Sequence, residues 1–241
     1  MLGEQIEKYE QVRRAHMVFR LNGWDSSEAQ EALSKAEDIM KRIYTEQCVK
    51  PGDMKIRDKV LKRITDAFYH SDGKTQTYLL EGEITISATG SCMNGLWTAS
   101  GSDIDVVIVF HNRMAYNQHQ LVKHCGKVIK SVAKNGTLCY VPAIKVPLLK
   151  YQDNLTGIDV DLSVNNVLAM FNSDLIYTYC QIDQRFHILA TFLKHWAKRV
   201  KIIGASNGYL SSYALTLMII AFLQSRQPPV LPCLQERKLR T

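Results

Sequence analysis

The chain has 241 residues, 46% of them apolar and 22% charged, a composition that excludes collagen-like, low-complexity and disordered classes and has room for one large or two small cores. The longest apolar run, Ala214 to Leu223, is too short to span a bilayer, and the first thirty residues contain no apolar block of the signal-peptide kind, so a protein without membrane attachment is expected, in the cytoplasm first and in the nucleus or mitochondrion as alternatives. Six scattered cysteines with no C-x-x-C pair read as reduced thiols rather than zinc ligands, and the net charge of +7 fits a polyanionic partner without specifying one.

Met1 to Asn22 reads as helical, with a turn at Leu21 to Trp24. Apolar residues at helical spacing then run from Ala29 to Ile43, and Ser26 or Ser27 stands where an N-cap belongs, which predicts a helix over 26–47. Pro51-Gly52 punctuates, and Ile56, Val60, Ile64, Ala67 and Phe68 mark one face of a second helix over 54–70. Strands are expected over 77–80, 83–89 and 103–110, the last being strongly β-branched. A helix over 114–134 should end at Asn135-Gly136, before strands over 137–149 and 157–164. Everything beyond Val167 reads as helix: 167–181, 183–201 and 209–224, with Pro228-Pro229 as the stop. Helices, a strand-rich centre and helices again predict an α+β protein with a small mixed sheet.

The most informative stretch is Gly90-Ser91, eleven further residues, then Asp103-Ile104-Asp105. Side chains alternate along a strand, so Asp103 and Asp105 share a face with their carboxylates about 7 Å apart, repelling unless a cation lies between. Hard oxygen ligands on a rigid strand suit Mg²⁺. A Gly-Ser turn opening a helix has N–H groups and a hydroxyl able to hold phosphate. Asp-x-Asp by itself is usually a solvated strand face, and Gly-Ser by itself is a turn. In this order, with a strand before and after, the pair reads as a nucleotidyl-transfer site.

A third carboxylate belongs on a neighbouring strand, where Asp159 and Asp161 lie on one face, and periodicity does not choose between them. Asn165 or Asn166 reads as a helix N-cap, Lys194 and Lys198 stack at i and i+4 as a basic face, and Ser211 or Ser212 can cap the last helix.

The Gly-Ser and Asp-h-Asp-h motifs with this spacing resemble the polymerase-β-like nucleotidyltransferase superfamily. Within it, the stretch from about Glu83 to Gln235 resembles cytoplasmic poly(A) polymerases and terminal uridylyltransferases. The resemblance implies a catalytic palm domain over 76–165, a helical central domain over 166–241 and N-terminal helices over 1–75 that return to the central domain, with the nucleotide in the cleft between. It implies that Asp103, Asp105 and Asp161 are the catalytic acids and ligands of Mg²⁺ or Mn²⁺, with Asp161 chosen over Asp159 by the family's Asp-h-Ser-h-x-Asn pattern. It places Gly90, Ser91, Asn166, Asn172, Ser173, Lys194, Lys198, Ser212 and Tyr213 on the nucleotide: Asn172 and Ser173 near the ribose and base, the lysines and Ser212 on phosphates, and the Tyr213 ring on the base.

The function so implied is template-independent addition of UMP or AMP, from UTP or ATP, to an RNA 3′-hydroxyl. The alternative is a catalytically weak subunit that binds RNA or protein. The family pattern continues past Gln235 into a base-reading loop, whereas this sequence stops at Thr241, so an incomplete helical domain with an uncovered apolar flank on its last helix is expected. A protein partner could cover that flank.

Overall fold

The structure is a computed structural model and describes residues 26–69, 84–98, 103–111, 117–142, 146–205 and 208–235. The chain divides into two compact units, one of residues 49–180 and one that joins 1–48 with 181–241. Two expected elements, the helix over 1–22 and the strand over 77–80, lie outside the described residues.

The first unit is built on a five-stranded mixed sheet in the order β1-β2-β5-β4-β3. Its strands are β1 (Ile84–Thr89), β2 (Ile104–Phe110), β3 (Cys139–Val141), β4 (Leu148–Gln152) and β5 (Asp159–Val164). Among these five strands, β2 and β5 pair in parallel and the other pairs are antiparallel. A parallel pair needs a long crossover, and the helix α4 (Gln118–Ile129) with the β3–β4 hairpin supplies it. Helix α2 (Pro51–Phe68) contributes Val60, Ile64 and Phe68, spaced one helical face apart and all but fully buried. Helix α4 contributes Leu121, Val122, Cys125 and Ile129 to the same core. Between β1 and β2 lies the four-residue α3 (Ser91–Asn94), and α5 (Val167–Ile182) follows β5.

Residues paired across a sheet share a face. Ala88, Val106, Leu162, Leu149 and Tyr140 form one row through all five strands, and the first four are buried. One residue along, facing the other way, the row reads Thr89, Asp105, Asp161, Lys150, Cys139. The same pairing that buries the apolar row therefore aligns two acids and a lysine on the opposite face.

In the second unit α1 (Ser27–Gln47) is capped by Ser26, whose hydroxyl accepts from Ala29 N–H at 3.1 Å. Its Ile39 and Ile43 pack on Phe192 of α6 (Gln184–Arg199). Asp183 caps α6, accepting from Arg185 N–H at 2.8 Å. Helix α7 (Ser212–Gln224) buries Thr216, Ile219, Ile220 and Leu223 while Met218 and Phe222 stay exposed.

Four expectations need correction. The single strand over 137–149 is two strands, β3 and β4, with Pro142 and Pro147 in the break; proline has no N–H for a ladder and interrupts it. The helix expected to reach Lys134 stops at Ile129, and residues 130–137 are mostly turns. The last helix starts at Ser212, not Tyr209, because Ser211 takes the cap, its hydroxyl accepting from Ala214 N–H at 3.0 Å. The second helix begins three residues earlier than expected, at Pro51, where the missing N–H costs nothing in the first turn.

Candidate active site

Asp105 is the second residue of β2, with Thr89 of β1 on one side and Asp161 of β5 on the other. Paired residues on adjacent strands lie roughly 5 Å apart, so the Asp105 and Asp161 carboxylates are neighbours by register alone. Asp103 lies just before β2 and is exposed, while Asp105 and Asp161 are half-buried. Asp159 opens β5 two residues upstream of Asp161, is exposed, and pairs with Gln152 instead of an acid. The two carboxylates that periodicity alone does not separate thus differ in surroundings.

Gly90 follows β1 with φ +64° and ψ −149°, a conformation almost confined to glycine. A Cβ there would come within 2.1 Å of Asp105 Oδ2, so the carboxylate lies directly on the glycine's Cα. The Gly90 carbonyl accepts from Met93 and Asn94 N–H, closing α3. Its N–H donates to Ser173 Oγ on α5 at 2.8 Å, and that hydroxyl donates in turn to the Ala169 carbonyl at 2.7 Å. Gly90 N–H, counted among the phosphate donors in the sequence reading, is therefore already engaged. Buried Ser173, expected at the ribose, holds the Gly90 backbone and keeps one acceptor lone pair.

Further contacts brace this corner. Arg57 of α2 donates to the Cys92 carbonyl at 3.1 Å. The Cys92 thiol donates to the Thr89 carbonyl, and its pKa is pushed up to about 11, first by burial and then by the Asp105 charge. On the far side Asn165 adopts φ +53°, and its side-chain oxygen accepts from Phe110 N–H at 2.9 Å, tying the end of β5 to β2. Asparagine tolerates that conformation. Asn165 thus has a structural job, and Asn166 and Asn172 remain half-buried at the start and along α5.

Lys150 Nζ donates to Asp161 Oδ2 across the β4–β5 ladder. The sequence reading missed this residue, because a strand drawn through 137–149 never brings Lys150 opposite Asp161. A lone lysine has no periodic signature; only the pairing finds it. The β4–β5 turn is held by Asp153, 1% exposed, which accepts from Arg63 and from the N–H groups of Leu155 and Thr156.

The donor set is all oxygen, mostly carboxylate, and suits a hard divalent cation. The Asp105 carboxylate seated on a Cβ-free glycine and registered against Asp161 fits such a group. Among the described residues no three acidic, histidine or cysteine side chains already converge as a ready metal cluster, and Lys150 holds the Asp161 oxygen that a cation would need.

The second unit places Lys194 and Lys198 on successive turns of α6, Lys194 buried and Lys198 exposed. Ser212 opens α7, its neighbour Ser211 having taken the cap, and Tyr213 is partly exposed.

The family described as the central palm domain of "Poly(A) RNA polymerase, mitochondrial-like" matches residues 36–181, more than half of the chain. The chain belongs to this family. Terminal uridylyltransferase 4 of Homo sapiens is 36% identical over 150 residues, which cover 61% of this chain and 9% of that protein. Poly(A) RNA polymerase GLD2 of Danio rerio is 36% identical over 151 residues, covering 61% of this chain and 30% of that protein. The chain thus spans a minor part of these relatives. In fold it is similar to the Cid1 poly(U) polymerase, solved with Mg and 3′-dATP (TM-score 0.71, 23% identity, 84% of this chain and 59% of that one). It is likewise similar to a single-residue mutant of mtPAP solved with ATPγS (TM-score 0.68, 23% identity, 81% of this chain and 43% of that one). The five-stranded mixed sheet is the palm of this family. Among the described residues no helix is long and apolar enough to cross a membrane.

Proposed function

We propose that the chain is an RNA 3′-terminal nucleotidyltransferase that adds UMP or AMP from the nucleoside triphosphate to an RNA 3′-hydroxyl. One observation carries the reading: Asp105 and Asp161 stand side by side on the parallel strands β2 and β5, with Asp105 packed on Gly90 of the Gly-Ser turn. Family membership supports it.

Asp103, Asp105 and Asp161 would hold Mg²⁺ or Mn²⁺. When bound, that cation supplies charge neutralisation at the attacking and leaving oxygens. Asp161 takes the proton of the 3′-hydroxyl, whose oxygen forms a bond to the α-phosphorus while the bond to the β-phosphate oxygen breaks and pyrophosphate leaves. Ser91 donates to a phosphate through its hydroxyl and N–H. Gly90 serves by approach, since it lets the loop lie against Asp105. Ser173 holds that glycine through its N–H and has an acceptor left for a ribose hydroxyl, with Asn172 one residue earlier on α5. By family resemblance, Lys194, Lys198 and Ser212 are assigned to phosphates, Tyr213 to the base and Asn166 to the nucleotide. Base stacking is indifferent to base identity, which leaves UTP and ATP both as substrates.

The test is a 5′-labelled single-stranded RNA incubated with each nucleoside triphosphate in turn and Mg²⁺ or Mn²⁺, resolved on a sequencing gel. A ladder with UTP or ATP is expected. Binding of the RNA with no extension under any condition would turn the reading to the catalytically weak, RNA-binding alternative.

A further inference from the structure

The chain has 30 Lys/Arg and 23 Asp/Glu, and residues 106–152 hold seven of the basic residues and no acidic one, which leaves 23 of each elsewhere. The whole net charge of +7 therefore comes from residues 106–152, and the rest of the chain is balanced; Lys123, Lys127, Lys130, Lys134 and Lys150 of this segment lie on α4, the turn after it and β4. On α4 and the turn after it, Lys123, Lys127, Lys130 and Lys134 follow one another at steps of four, three and four, and all are exposed. Like charges so spaced repel and are tolerated without gain unless an anion lies along them. The row is joined to the catalytic face of the sheet: Lys134 Nζ donates to Gln152 Oε1 at 3.1 Å. Gln152 lies two residues beyond Lys150 on β4, on the face that carries Asp161. At the other end Lys123 Nζ stands 5.3 Å over the ring of Tyr140, whose hydroxyl is bonded to His119.

We propose that this surface, from Lys150 past Lys134 and along α4 to Lys123 and Tyr140, docks the single-stranded RNA upstream of its 3′ end. The proposal rests on the RNA-nucleotidyltransferase reading above and names where the body of that substrate lies. The spaced lysines neutralise successive phosphates, and Tyr140 at the edge strand offers a ring beside a cation for a base. A membrane is disfavoured because, among the described residues, no large apolar side chain of 106–152 is exposed; the apolar face of α4 is buried in the core.

The experiment compares the 241-residue chain with two triple variants of equal charge loss and equal helical spacing. One is Lys123→Gln/Lys127→Gln/Lys130→Gln on α4, and the other is Lys55→Gln/Lys59→Gln/Lys62→Gln at exposed positions of α2. Fluorescence anisotropy without nucleotide gives the Kd for a single-stranded RNA long enough to run from Lys150 to Lys123. The α4 variant should bind about tenfold more weakly and lose about 2 from the slope of log K against log salt, three lost phosphate contacts at about 0.7 each. The α2 variant should bind as wild type does. In extension assays the α4 variant should show a raised KM for the long RNA, with an unchanged KM for the nucleotide and for a trinucleotide primer too short to reach α4. Equal loss in both variants, or in neither, would overturn the proposal, as would tighter binding to phosphatidylserine vesicles than to RNA that is lost in the α4 variant. If wild type binds RNA through α4 yet extends no primer, the surface stands and the catalytic reading fails. If it extends RNA but the α4 variant binds RNA as wild type does, the reverse holds.

Discussion

In the sheet unit the candidate residues are held by strand pairing, whereas in the helical unit each has its own local reason to be where it is. Asp105, Asp161 and Lys150 occupy one row because their apolar neighbours Val106, Leu162 and Leu149 occupy the next, and a slip of one residue would expose the core along with the site. Lys194 is buried within α6, Ser212 follows a serine that already caps α7, and Tyr213 is partly exposed at that helix's start. Strand register couples a site to the stability of its fold; single helices do so weakly. Functional sensitivity should therefore be concentrated in the row and graded elsewhere.

The largest effect is expected from Asp105→Ala. Loss of a carboxylate that holds the cation should cost several kcal/mol, or about a thousandfold in kcat. The melting temperature without divalent cation should hold or rise, because a repelling neighbour of Asp161 is gone. Retention of a tenth of wild-type turnover would remove Asp105 from the chemistry. Gly90→Ala probes the same contact from the other side. It forces a Cβ onto Asp105 Oδ2 and a left-handed φ onto alanine, so kcat should fall about a hundredfold through displacement of the carboxylate. A silent Gly90→Ala would mean that the turn has no part in placing Asp105.

The comparison is sharpened within β5. Asp161→Asn should reduce kcat by about a hundredfold or more, and Asp159→Asn by less than about twofold, since only Asp161 is registered against Asp105. Steady-state kinetics on the two variants decides, and the reverse order would break the register argument.

For the helical unit, Lys198→Ala should raise the KM for nucleoside triphosphate roughly tenfold with kcat and melting temperature little changed, as for an exposed point charge on a phosphate. Lys194→Ala should raise that KM and also lower the melting temperature by a few degrees, roughly 2–5 °C, because its side chain is packed inside the unit. An unchanged KM in both would return them to a structural role.

The smallest effect concerns the thiols. Exposed Cys139 and Cys233 should alkylate readily in the native protein, while Cys92 and Cys125, raised by burial to about 11 and about 12, stay protonated and unreactive at neutral pH. Mass mapping after a brief iodoacetamide pulse checks this. Rapid labelling of Cys92 would show that the corner beneath Asp105 opens.

From the sequence alone came the α+β class, the order of elements, the Gly-Ser and Asp-x-Asp pair and the family to which they point. These are local features: β-branched alternation, caps and a short motif survive in one dimension. Helix starts were legible where the reading began at the capping serines, as at Ser26 and Ser27, and slipped where it began ahead of them, at Tyr209 instead of after Ser211. The break between β3 and β4 was hidden by apolar residues that continue through Pro147. Tertiary structure alone decided that Asp161 stands beside Asp105 and opposite Lys150, and that Ser173 grips Gly90 from a helix 83 residues away. Register between strands distant in sequence is chosen by which apolar faces can be buried together, a collective property of the folded sheet that no window of the sequence contains.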